Sequence, residues 1–141
     1  MEPAAFLNLD LALEGPESLD PLAEYFSDCA FVLYNGETPD GFLLAAEPLL
    51  DGELSQELHA CTNHFLGVLD QMPEDLVALF RRCRLRVFDY GFDGGSEAPP
   101  LTVALTPEQL ARMASWDVEM RVTLYPYRED LRELEGDDVE S

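Results

Sequence analysis

One-sided alternation is the feature that most constrains this chain. Over residues 6–13, Leu7, Leu9, Leu11 and Leu13 share one parity, and Asn8, Asp10 and Ala12 share the other. A period of two with one apolar face is the pattern of a half-buried strand. It returns over residues 84–92, where Leu85 and Val87 are read as inward and Arg84, Arg86 and Phe88 as outward. It returns again through Leu101, Val103 and Leu105, predicting a strand there. A last strand is predicted through Val118, Met120, Val122 and Leu124, with Glu119, Arg121, Thr123 and Tyr125 on its other face. Two compact apolar runs, residues 30–34 and 42–46, are separated by the turn residues Asn35-Gly36 and Pro39-Asp40-Gly41, which predicts a hairpin.

Helical spacing fills the gaps between these strands. Asp20-Pro21 opens a helix, with Pro at a favoured first position, and Leu19, Leu22 and Phe26 carry its apolar stripe to about residue 28. Leu54, Leu58, Cys61, Phe65, Val68 and Leu69 recur at three- and four-residue spacing and predict the longest helix. Met72-Pro73 interrupts it, and Pro73-Glu74-Asp75 starts a new segment running to Arg82. Thr106-Pro107-Glu108-Gln109 combines a cap, a first-position Pro and a third-position Gln, the signature of a capping box. The order is strand, helix, strand, strand, helix, strand, followed by strand, helix, strand. The first six elements match a split βαβ, ferredoxin-like core. The expected fold is therefore α+β in two layers, with helices on one face of a mostly antiparallel sheet and the other face partly open. A chain of 141 residues that is 47% hydrophobic can bury a real core. Residues 1–128 are expected to form a single domain and residues 129–141 an acidic tail.

Charge constrains the partners. The chain carries 29 acids against 8 basic residues, all Arg, for a net charge of −21. With so little positive charge, neutralising many phosphates is excluded, and docking on an anionic membrane is equally disfavoured. The surplus is unevenly placed. Residues 1–80 hold 16 acids and no basic residue, residues 81–128 hold 7 Arg against 6 acids, and residues 129–141 hold 7 acids and 1 Arg. An acidic first half can be a solubility device at some cost in self-repulsion, or a surface that meets a basic partner. On the second reading the candidate partner-binding residues are Asp10, Asp20, Glu24, Asp28, Glu37, Asp40, Glu47, Asp51, Glu53 and Glu57. A second candidate patch lies on the open sheet face: Arg84 and Arg86 with Phe88 and Tyr90 in the same register, joined by Arg121 and Tyr125. Arg, Tyr and Phe are enriched in interface cores. Intramolecular ion pairs with the surplus acids are the competing account of these Arg residues.

No catalytic or metal signature stands out. His59 and His64 are five apart, about 140° around a helix, and cannot share a ligand face. Cys29, Cys61 and Cys83 have no CxxC spacing and are odd in number, so reduced thiols are expected. Asp89 and Asp93 flank Tyr-Gly-Phe without the ligand ladder of a calcium loop. The absence of Lys rules out a phosphate-binding GxxxxGK[ST] loop. No cofactor is expected. The N-terminus, Met1-Glu2-Pro3-Ala4-Ala5-Phe6, lacks a basic region, and no apolar run approaches the roughly 20 residues of a membrane span. A cytoplasmic protein is expected.

Residues 101–125 combine a strand, Leu-Thr-Pro-Glu-Gln-Leu-Ala-Arg-Met-Ala, a turn and an alternating strand ending in Tyr. This resembles the end of a family of small bacterial proteins, the domain of unknown function 4279. The element order extends the likeness over the whole chain, apart from residues 31–50, which do not match the Trp- and Gly-rich segment of that family. The resemblance implies a fold and no mechanism. By analogy, small acidic bacterial proteins of this architecture are similar to immunity proteins. The leading expectation is a non-enzymatic module that engages a basic protein, such as a toxin. The alternatives are a small-molecule or peptide binder, or an enzyme, using the open sheet face, and a homodimer that covers that face with its own copy.

Overall fold

The computed structural model describes residues 4–95 and 100–126. Its elements are strands β1 (Ala5–Gly15), β2 (Ala30–Thr38), β3 (Gly41–Pro48), β4 (Leu85–Asp93) and β5 (Glu119–Tyr125). The helices are α1 (Asp20–Phe26), α2 (Leu58–Asp70), α3 (Glu74–Arg82) and α4 (Pro107–Ser115), with a 3-10 turn over Gly52–Gln56. The five strands form one sheet in the order β2-β3-β1-β4-β5. β1 is antiparallel to β3 and β4, β2 is antiparallel to β3, and β4 and β5 are parallel. The fold is α+β with two layers and a mixed sheet. β1 and β2 therefore run parallel with β3 between them, joined through α1. β3 and β4 run parallel with β1 between them, joined through α2 and α3.

The Leu alternation of β1 sets the core. Leu9, Leu11 and Leu13 are fully buried and pack with Phe88 and Tyr90 of β4 and Leu44 and Ala46 of β3 beneath the helices. α1 contributes Leu22 and Phe26, and α2 contributes Cys61, Phe65, Leu66 and Leu69. Each buried Leu and Phe of this set contributes about 1.5–3 kcal/mol. Leu7 departs from the alternation. A register shift between Phe6 and Asn8 breaks the period, so Phe6 packs edge-on against Phe92 and Leu7 is exposed. Tyr90 is buried with its hydroxyl 2.8 Å from Thr62 Oγ1, and burial pushes its pKa up to about 12. The cysteines are free thiols, with Cys61 and Cys83 buried.

Two expectations about elements are corrected. Residues 101–105 form no strand. β5 pairs directly with β4, which leaves no place between them, and Leu101 and Val103 line a surface hollow with Phe92, Val122 and Leu124. The long helical pattern from Leu54 is two elements, because the backbone at Glu57 is extended between the 3-10 turn and α2. The capping box forms as expected: Thr106 accepts from the Gln109 N–H, and the Gln109 side chain accepts from the Thr106 N–H. The acidic tail lies outside the described residues.

Candidate functional site

The sheet face away from the helices carries a row of charge across adjacent strands. Asp10 on β1 pairs directly with Asp89 on β4, and Asp89 with Arg121 on β5. On the other side Leu11 pairs with Ala46, so the next position sets Glu47 of β3 beside Asp10, and Glu47 pairs with Phe31 of β2. Five strands thus present Phe31, Glu47, Asp10, Asp89 and Arg121 in one line. Asp10 is the most perturbed member. Burial, then the charges of Glu47 and Asp89, push its pKa up to about 6, and its Oδ1 is buried without a hydrogen-bond partner. Asp89 Oδ1 accepts from the Thr123 hydroxyl at 2.8 Å. Among the described residues, no three His, Cys, Asp or Glu side chains converge closely enough to hold a metal ion. The row is suited to receiving an organic cation, an ammonium or a guanidinium, that neutralises several carboxylates at once.

The other predicted acids are spread over several surfaces. Asp20 and Glu24 are on α1 and Asp28 lies between α1 and β2. Glu37 is on β2, Asp40 in the β2–β3 turn, and Asp51, Glu53 and Glu57 lie around the 3-10 turn. All eight are exposed. Asp20 Oδ1 accepts from the Asn35 amide of β2 at 2.9 Å. None of the ten predicted acids forms an ion pair among the described residues.

The predicted Arg patch is corrected. Phe88 and Tyr90 are not on the open face: both are fully buried beneath the helices. Arg86 shares their side, since it pairs with Leu13, and its guanidinium donates to the carbonyls of Phe80, Arg81, Cys83 and Asp117. It ties the end of α3 to the turn after α4. Arg84 reaches the hairpin tip and donates to the Asp40 carbonyl at 2.7 Å. The reason is parity: Val87 and Asp89 face the open side, and the bulkier Phe88, Tyr90 and Phe92 take the core. Arg121 and Tyr125 are on the open face as expected, opposite Asp89 and Asp93.

The remaining described Arg residues also have partners within the chain. Arg81 pairs with Asp117 and stacks on Trp116, Arg82 binds Glu17 through two nitrogens, and Arg112 binds Asp70. Hydrogen bonding from Arg82 holds the Glu17 carboxyl below its usual range. At Asp70 burial opposes ionisation, but hydrogen bonds from Trp116 and Arg112 outweigh it and lower the pKa.

His59 Nδ1 lies 3.0 Å from Gln109 Oε1, and His64 Nε2 lies 2.6 Å from the Cys29 carbonyl, so the two rings serve separate contacts. Sequence reasoning missed Asp89, Phe31 and Tyr34 as open-face residues. Asp89 was detectable, because Asp89, Gly91 and Asp93 alternate with Phe88, Tyr90 and Phe92. No described helix is long and apolar enough to cross a membrane. Compared with protein-family models, curated proteins and solved structures, the chain matches none of them.

Proposed function

We propose that this protein is a non-enzymatic binding module whose acidic first half engages a basic protein. An immunity protein holding a toxin is one form of that activity, reached from the acidity and by analogy with small acidic immunity proteins. One observation carries the reading. Each described Arg is held by a contact inside the chain, whereas none of the ten candidate acids of the first half has an ion-pair partner among the described residues. Unspent charge of one sign raises association rates with the opposite sign and selects partners. The test is affinity capture from the native host, followed by titration of the purified partner at increasing salt. The expected partner carries surplus Lys and Arg, and the complex weakens as salt rises. A complex insensitive to salt contradicts the reading.

A second reading, a small cationic ligand on the open face, is favoured by the orphaned Oδ1 of Asp10. It retains Arg121 and Tyr125 from the predicted patch and replaces the others with Asp10, Glu47 and Asp89.

A further inference from the structure

We propose that the outer edge of β2 is the docking line of the basic partner, which adds an extended, Lys- or Arg-rich segment to the sheet as a further strand. This inference rests on the basic-partner reading and specifies how the partner is held. β2 ends the sheet order, and no strand among the described residues pairs with its outer side. A bare edge offers alternate N–H and C=O groups to an incoming chain. Native edges are guarded by charged side chains, Pro, bulges or shortness; β2 is nine residues long, has no Lys or Pro, and carries one charge, Glu37. A bulge at Leu33 interrupts it and leaves residues 34–38 in continuous register with β3.

The side chains along this edge suit a guest. Phe31, Leu33 and Tyr34 are 56%, 52% and 46% exposed and give apolar contact for alternate residues. The Tyr34 ring lies across Gly36, and its hydroxyl donates to the Glu37 carbonyl at 3.1 Å, a polar contact inside the strand that an incoming amide can replace.

Charge selects the occupant. Basic side chains on an added strand would meet carboxylates on either face of the sheet. Glu47, paired with Phe31, is on the open side, and Glu37 and Asp20 are on the helix side, the latter held to β2 through Asn35. Asp28 and Asp40 mark the two ends of the strand. A second copy of this chain would set the same carboxylates against one another, so self-pairing is disfavoured. The opposite edge, β5, carries Arg121 and lies in the nearly neutral half, which makes it an internal control.

The test uses the whole chain and two probes. One is an alternating Lys–Val peptide of about the length of β2. The other is the same peptide N-methylated at alternate residues, which removes backbone donors and keeps the charge. Affinity is read by fluorescence anisotropy, location by amide hydrogen exchange, and mass by light scattering. The expected result is protection of residues 31–38 with β5 unchanged, and binding weaker by about tenfold or more for the N-methylated peptide. Neutralising Asp28, Glu37 and Asp40 to amides should weaken both peptides. Equal, salt-sensitive binding of the two peptides would overturn strand addition and leave the basic-partner reading standing. So would protection confined to β5 or the helices. Binding of neither peptide at low ionic strength would overturn both. A doubled mass with β2 protected in the absence of peptide would assign the edge to self-pairing and overturn the proposal.

Discussion

The two halves of this molecule use charge in opposite ways. From α3 to β5, Arg side chains act as struts: Arg86 gathers four carbonyls, Arg81 joins Asp117 and Trp116, and Arg112 reaches back to Asp70 on α2. From β1 to β3 no Arg or Lys exists, apolar packing dominates, and among the described residues only Glu17, held by Arg82, has an ion-pair partner there. Two carboxyls show the consequence. Asp70, paired with Trp116 and Arg112, ionises more easily than usual, whereas Asp10, partly buried and flanked by Glu47 and Asp89, resists ionisation. Charge in the second half is structural. In the first half it costs stability, and such a cost is consistent with a role outside the fold.

The largest effect that tests this contrast is at Arg86. Arg86→Ala leaves the carbonyls of Phe80, Arg81, Cys83 and Asp117 short of a donor and should cost about 2 kcal/mol in urea unfolding. A neutral Arg86→Ala would remove the strut from the account. Asp10→Asn should act in the opposite direction. A carboxyl whose folded pKa is raised from 3.8 to about 6 favours the folded state while protonated, and that contribution is lost as pH rises from about 4 to about 6. The amide should therefore stabilise the protein above pH 6, by about 1 kcal/mol after allowing for solvent screening, and leave it unchanged below pH 4. Stabilisation that grows on acidification would contradict the sign. Smallest in stability are Glu24→Gln and Glu37→Gln, expected to lie within about 0.5 kcal/mol of the parent because both side chains are exposed and neither has an ion-pair partner among the described residues.

Much of this architecture was legible in the residues. The Thr106 capping box, the Pro73 restart, the β2–β3 hairpin and the Leu face of β1 are local signals, and each formed. What failed depended on neighbours. β4 has apolar residues at both parities, so only the bulk of Phe88, Tyr90 and Phe92 against the helices decides which side is the core. Leu101 and Val103 alternate like a strand, but β5 takes the edge that β4 offers, and they line the hollow beside it. The acids of the row were visible one by one. Their adjacency was not, because it depends on β1 lying between β3 and β4, a consequence of strand order that spacing along the chain does not encode.

The central claim, that the acidity of the first half is placed for a partner and is not a general coat, has a direct test. Two variants of equal net charge are compared, one with Asp20, Glu24, Glu37 and Asp40 changed to amides, the other with Asp93, Glu108, Asp117 and Glu119 changed. Binding of the Lys–Val peptide is titrated at low ionic strength. The account predicts that the first variant loses affinity about tenfold or more while the second stays near the parent. Equal losses in the two variants would mean that only total charge matters, and would contradict it.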